Sequence, residues 1–345
     1  TASVERALSA GELARLTPTD RDASIFAGGS TTAVSPPNAP TTTLSLVAAR
    51  RGSLVISEFF NYFGSPTIYN WGSYIEIYNN GDSVAYLDGM YLAYTSWLAQ
   101  HTAGWASCDA PEYRAVRTDS SRLWVIGGIR FPGAGTEYPV QPGEARVYAT
   151  DALDHRVASG STNFPDLSTA HFEHVATTAD TDNPLAANVS PSFAVTTGTG
   201  GRGVRGESPA SWALIDASAT PRIVRVTLPG LTPSPVSGGL RPPVDLWGVP
   251  RDAVYDVASL DNSADYKAYL ATTTYRYTQC QPWLPEVFDR AAAEVVDHTY
   301  RPGAIRRRSL GRTSEGREIL MRTRTSARDL EVTASLLERS LNRPR

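Results

Sequence analysis

From Leu54 onward, short runs of β-forming residues alternate with clusters of Gly, Pro, Asn, Asp and Ser. That spacing is the signature of a sandwich or barrel. The first runs predict strands over Leu54–Phe60, Tyr74–Asn79, Tyr86–Tyr94, Leu123–Ile126 and Ala145–Ala149. A second set predicts strands over Ser192–Thr197, Trp212–Asp216, Ile223–Leu228, Ala253–Val257, Ile305–Leu310 and Glu318–Thr323. In Tyr74-Ile-Glu-Ile-Tyr78 a glutamate lies between residues of high β-propensity, and Asn79-Asn80-Gly81 supplies a turn able to take positive φ. Helical spacing is confined to Glu286–Val296 and, more regularly, to Leu330–Leu341, where Leu330, Ala334, Leu337 and Leu341 recur at helical intervals. Between the strands run long loops, Asp151–Val189, Gly198–Ser211 and Pro229–Val244. Uncharged, proline-rich loops of this size cover a face of a domain or make contacts.

Before Leu54 the pattern is different. Ala10–Leu16 has the spacing of a short amphipathic helix, but Ser30–Ser45 is almost wholly Ser, Thr, Pro, Ala and Asn. Such a segment buries too little apolar surface to offset its ordering entropy, so it is expected to be extended. The predicted organisation is an N-terminal arm over 1–50, a β-rich domain over 51–328 and a helical tail over 329–345.

Composition narrows the picture. The chain has 345 residues, 41% hydrophobic and only 19% charged, with 27 Gly and 24 Pro, which fits a large core with many turns. No run approaches the ~18 apolar residues of a spanning helix, so no transmembrane segment is expected. Lys267 is the only lysine among 32 basic residues, the mark of a genome rich in G and C. The first residue is Thr1, which fits a mature secreted chain whose signal peptide has been removed. Cys108 and Cys280 are the two cysteines; in an exported protein a disulfide between them closes a very long loop, and two separate buried thiols are the alternative.

Three segments carry a family resemblance: Leu54-Val-Ile-Ser-Glu-Phe-Phe60, Tyr74-Ile-Glu-Ile-Tyr-Asn-Asn80 and Tyr86-Leu-Asp-Gly-Met-Tyr-Leu92. In this order they resemble the lamin-tail type of immunoglobulin-like domain, and more specifically an uncharacterised bacterial secreted family related to it. Further similar segments are Pro142–His155, Asn163–Ser168, Asp180–Pro184, Ile305–Arg308 and Ser326–Asp329, so the resemblance spans roughly residues 53–332. It implies a mainly β, immunoglobulin-like or lamin-tail-like β-sandwich with long loop insertions, an extended N-terminal arm and a short C-terminal helix, located at the cell surface. It implies no chemistry, because lamin-tail domains are interaction modules.

The motifs of common enzyme classes do not fit. There is no Gly-x-Ser-x-Gly elbow, and the single lysine sits in Asp265-Tyr-Lys-Ala268, which excludes a Walker loop. Gly198-Thr-Gly-Gly-Arg-Gly203 matches a dinucleotide fingerprint only formally, because Val204–Pro209 cannot open the helix that would bind pyrophosphate. His171 and His174 would point to opposite faces of a strand and chelate zinc only on a helical turn with further ligands. Asp180, Asp182 and Asn183 crowd oxygen donors into one loop, making them candidate calcium ligands or an ordinary Asx turn. Glu58 and Glu76 read as hydrogen-bonded strand residues rather than a general acid and base. No cofactor is expected, calcium being the one metal whose donors the sequence offers.

Charge is unevenly placed. Residues 301–328 hold nine arginines against Glu315 and Glu318, a net +7, so the rest of the chain carries −10 to reach −3 overall. Three readings follow: a phosphate-contacting patch, solvated strands with intramolecular partners, or a basic hairpin that meets an acidic face of the next copy. The segment lacks interleaved aromatics, so nucleic acid is not favoured. The functional expectation is a non-catalytic, secreted structural protein that self-assembles into an extracellular filament or cell-surface assembly. Its N-terminal arm would dock on a neighbouring copy, and Arg306, Arg307, Arg308, Arg322 and Arg324 would serve self-association, with other cell-surface components as further partners. The alternative is a cell-surface module that captures glycan or peptide on its long loops, with Trp71, Trp97, Trp105, Trp124 and Trp247 as stacking platforms.

Overall fold

The computed structural model describes residues 2–7, 25–31, 47–50, 54–60, 72–95, 111–160, 162, 164–174, 182–193, 210–228, 244–262, 284–295 and 304–333. The protein is mainly β, with few and short helices among these residues. A seven-stranded mixed sheet runs in the order Ala187–Asn188, Phe172–Glu173, Ala145–Ala149, Tyr74–Asn79, Leu54–Phe60, Ala304–Arg307, Leu330–Thr333. A six-stranded sheet runs Ser190–Ser192, Gly127–Arg130, Tyr91–Tyr94, Ala210–Ile215, Val254–Asn262, Ala293–Val295.

One core joins these two sheets. Ile56, Phe59, Ile75, Ile77 and Tyr148 of the first meet Leu92, Ile129, Trp212, Leu214 and Leu260 of the second. The Phe59 and Trp212 rings lie 4.9 Å apart across the join. Both outer faces are covered as well. Val55, Phe60, Tyr74, Tyr78, Val147 and Ala149 face away from that core. Phe164, Leu167, Ala170 and Ala186 of the 151–189 segment pack over part of that face, and Leu320 over another part. The loop expected to cover a face therefore does so, with a short helix, His155–Ser159, inside it. On the far side of the six-stranded sheet, Tyr91, Ala93, Ala213 and Ile215 pack against Leu123, Val125 and Val249 of a three-stranded sheet formed by Val224–Leu228, Val244–Pro250 and Arg122–Val125. Every residue of Leu54–Phe60 and of Tyr74–Asn79 is buried, as strands covered on both faces must be.

The inner strands follow the sequence pattern closely, and other segments differ. Tyr86–Tyr94 divides into Ala85–Tyr86 and Tyr91–Tyr94, because Gly89 turns the chain at φ 65° and Met90 N donates to Leu87 O. Glu286–Val296 is not a helix: a turn at Pro285–Phe288 leads into the Ala293–Val295 strand, which takes the edge of the six-stranded sheet. The C-terminal helix is likewise corrected at its start. Leu330–Thr333 is an edge strand paired with Ala304–Arg307, Leu330 being buried in the main core, and residues 334–345 lie outside the described residues. Residues 1–50 contain a separate three-stranded antiparallel sheet, Ala2–Ala7, Ile25–Thr31 and Val47–Arg50, and the Ile25–Thr31 strand lies beside the Ser309–Arg312 strand. The helix expected at Ala10–Leu16 lies outside the described residues.

Candidate functional site: a buried arginine network beside a small cleft

The basic segment does not stay on the surface. Arg307 closes the Ala304–Arg307 strand, whose ladder with Leu54–Phe60 ends at Glu58. Past that point Leu54–Ile56 is paired with Tyr74–Asn79, across a bulge between Ile56 and Glu58, and has no partner from Ala304–Arg307. Side chains finish the ladder: Ile56 N–H donates to Asp256 Oδ2 at 2.9 Å, and Arg307 Nε donates to Ile56 O at 2.9 Å. Arg307 Nη2 then reaches Asp256 Oδ2 at 2.6 Å, and Nη1 reaches Met321 O at 3.0 Å and Asp329 Oδ2 at 3.3 Å. Asp256 belongs to the opposing sheet, so this ion pair ties the two sheets together at a point where both partners are buried. Arg322 Nε donates to Asp256 Oδ1 at 3.1 Å, and its Nη2 donates to Tyr255 O. Asp329 also accepts from Thr323 N at 2.8 Å and Thr323 Oγ1 at 2.6 Å.

A second chain of hydrogen bonds adjoins the first. Ser211 Oγ donates to Ser259 Oγ at 2.8 Å, Ser259 N donates to Ser326 Oγ at 2.9 Å, and Ser326 donates from both N and Oγ to Asp289. Burial pushes the Asp289 carboxyl above the ordinary aspartate value, against the pull of the Ser326 and Ser259 hydrogen bonds. Between the networks and solvent lies a cleft of about 20 Å³, room for about one water-sized group. Arg251, Arg322, Arg324 and Asp256 line it with Val287 and Phe288. Arg324 sits in the left-handed region at φ 59°, its carbonyl accepting from Arg290 N at 2.9 Å. Burial pushes its guanidinium pKa down.

This geometry revises the expected self-association residues. Arg307 and Arg322 are buried and bonded within the chain, because the end of a ladder and two aspartates require their forks there, so they cannot meet a neighbouring copy. Arg306 and Arg308 are partly exposed and both pair with Glu331 of their own chain. Arg324 lines the cleft.

Glu58 and Glu76 stand directly opposite each other in the register of the central strand pair. Tyr74 Oη donates to Glu58 Oε1 at 2.5 Å and Ser57 Oγ to Glu76 Oε1 at 2.6 Å, in keeping with the expected structural role. Asn183 has both ends of its amide engaged: Nδ2 donates to Ala152 O and Ser168 O, and Oδ1 accepts from Leu185 N. The Leu185 N–H on Asn183 Oδ1 makes an Asx turn. Asp182 accepts from Asn188 Nδ2, and Asp180 lies outside the described residues. His171 and His174 flank the Phe172–Glu173 strand, where His171 Nδ1 accepts from Val147 N at 3.1 Å. No three His, Cys, Asp or Glu side chains among the described residues gather as a metal site.

Trp124 and Trp247 serve the three-stranded sheet: Trp124 Nε1 donates to Asp119 Oδ2 at 3.0 Å, and Trp247 packs on Phe193. Cys108, Cys280, Trp71, Trp97, Trp105 and Gly198–Gly203 lie outside the described residues. Asp88, from the Leu87-Asp-Gly89 motif, accepts from the backbone N–H groups of Gly135, Glu137 and Tyr138 at 2.8–3.1 Å and so holds the 133–138 turn. Sequence reasoning missed the aspartates of the network. The only available signal was that Asp256 interrupts an apolar run, Val254-Tyr-Asp-Val257.

Among the described residues no helix is long and apolar enough to cross a membrane. No family model matches the chain, and no curated protein does. Among solved structures it is similar to a DUF4876 family protein from Bacteroides thetaiotaomicron, at 19% identity and a TM-score of 0.57 over 93% of this chain and 81% of that one, a likeness of fold.

Proposed function

We propose that this is a non-catalytic structural protein of the cell exterior, built on a lamin-tail-like, immunoglobulin-like sandwich, that assembles with copies of itself through residues 1–50. The observation that carries this reading is the N-terminal three-stranded sheet. It pairs with neither large sheet and lies beside the Ser309–Arg312 strand of the basic segment. A three-stranded sheet is at the lower limit of independent stability, which it reaches with an apolar face to bury. A contact that a terminal element makes within one chain is equally satisfied by the same element of another copy, the logic of domain exchange. Edge strands offer a further joint. Val332 on Leu330–Thr333 and Val224 and Val226 on Val224–Leu228 are exposed apolar residues on end strands, the kind of edge that adds a strand from a partner.

Deleting residues 1–50 tests this. The intact protein should sediment as multimers or form fibres under negative stain, and the truncated protein should be a folded monomer. Monodisperse monomers of the intact protein at high concentration, or unchanged assembly after the deletion, would refute it.

A further inference from the structure

We propose that the joint between copies is a head-to-tail strand pairing, in which Ala2–Ala7 of one copy adds antiparallel to the Val224–Leu228 edge of the next. This rests on the reading that residues 1–50 mediate assembly, and it supplies the surface on which they dock. Val224–Leu228 is an end strand of its three-stranded sheet, paired with Val244–Pro250 and with no second neighbour among the described residues. Ala2–Ala7 is likewise an end strand, paired only with Ile25–Thr31. Both ladders run without a register shift, and neither strand contains a proline. Bulges, prolines and charge are the usual guards of a sheet edge. Only charge is present on these two edges, and it is complementary.

The order of residues selects the partner. With Arg225 set opposite Glu5, antiparallel register places Val226 opposite Val4, Thr227 opposite Ser3 and Leu228 opposite Ala2, with Val224 and Arg6 at the end of the ladder. Opposite charges and like pairs of apolar or hydroxyl residues are the cross-strand neighbours that stabilise a sheet. Arg225 is available for this: its side chain is 62% exposed and commits only Nη2 to Asp245 while it lies over Trp247. Val224 and Val226 are exposed apolar residues on the same edge, and an added strand gives them neighbours. The competing edges fit less well. Val47–Arg50, at the other end of the N-terminal sheet, has no acid to set against Arg225. On the Leu330–Thr333 edge the charge is Glu331, which Arg306 and Arg308 already hold. Because the two joined edges differ, each copy in a chain of joints leaves one of each open, so the assembly grows as a fibre or closes as a ring.

The test is sedimentation of the full chain at low ionic strength beside two charge reversals, E5K in the N-terminal strand and R225E on the acceptor edge. Each variant alone should leave at least about tenfold less protein in the pellet than the wild type. An equimolar mixture of the two should pellet like the wild type, because the altered strand of E5K then meets the altered edge of R225E and their unaltered edges form the original joint. R225E removes an exposed ion pair of little weight, and E5K lies outside both large sheets and carries the test if R225E does not fold. Wild-type pelleting of either folded variant, or a mixture no better than its parts, would overturn this joint. If that happens while removal of residues 1–50 still abolishes assembly, the N-terminal segment acts through another surface; a monomeric full chain overturns both readings.

Discussion

Arg307 is a residue whose charge is conspicuous in the sequence and whose destination is not. Its partner Ile56 lies 251 positions away, and the arginine serves that strand where its ladder with Ala304–Arg307 has ended at Glu58. Replacing Arg307 with Met would leave Asp256 and Asp329 buried with an uncompensated charge. The expected loss is about 3–5 kcal/mol, read by urea unfolding, because breaking one side of a buried pair costs far more than the pair contributes. Two aspartates give opposite pH signatures. Burial raises Asp88, but the N–H groups of Glu137, Tyr138 and Gly135 outweigh it and hold the carboxyl below the ordinary aspartate value. Its stabilisation is therefore complete above about pH 4 and is lost as pH falls through the lower folded pKa. Asp289, raised by burial, keeps a proton that the unfolded chain has released, so stability falls as pH rises from the ordinary value to the raised one. Between pH 3 and 6 the unfolding free energy of D88N should depend less on acid than the wild type's, and that of D289N should climb more steeply with pH. Parallel profiles for all three proteins would contradict both assignments. Glu58 and Glu76 were legible as strand residues because their sequence context is local, whereas the turn at Asp88-Gly89 was hidden inside what reads as one strand, Tyr86–Tyr94. The aspartates of the network were not legible, since ion pairing across sheets leaves no short-range pattern.

At the scale of elements, strands covered on both faces were the easiest to find. Ala145–Ala149 and Leu54–Phe60 have the predicted bounds because each is a run dominated by apolar and β-forming residues, interrupted only by Arg146 or by Ser57 and Glu58. Two-residue strands such as Phe172–Glu173 and Ala187–Asn188 carry too few positions for any period to register. The misread segment is instructive: Leu330, Ala334, Leu337 and Leu341 fit a helical stripe, yet Leu330 opens a strand paired with Ala304–Arg307. Leu330 is 2% exposed and Val332 59%, although both lie on one face of the strand, so the core covers the start of this edge strand and not its end. If Leu330 anchors the sheet, L330A should cost about 2–4 kcal/mol by urea unfolding, whereas V332A should stay within about 0.5 kcal/mol. A tail helix lying on the surface would show no such contrast.

Across the whole molecule the layering was partly legible. A β-rich body and a loop folded over one face follow from composition and spacing, whereas the order of strands depends on distant pairings. That order has a consequence for biosynthesis. Leu54–Phe60 sits between Tyr74–Asn79 and Ala304–Arg307, and Arg307 is the residue that completes its ladder. On a ribosome moving at roughly 5–20 residues per second, the inner edge of that strand waits on the order of 10–50 s for its second neighbour. Throughout that interval an apolar strand with an open edge is exposed to other nascent chains, and the high contact order makes closure slow even after Arg307 emerges. The protein is thus committed to late, all-at-once closure of its core, and its yield in any host should depend on holding chaperones and slow synthesis more than on the final stability of the fold.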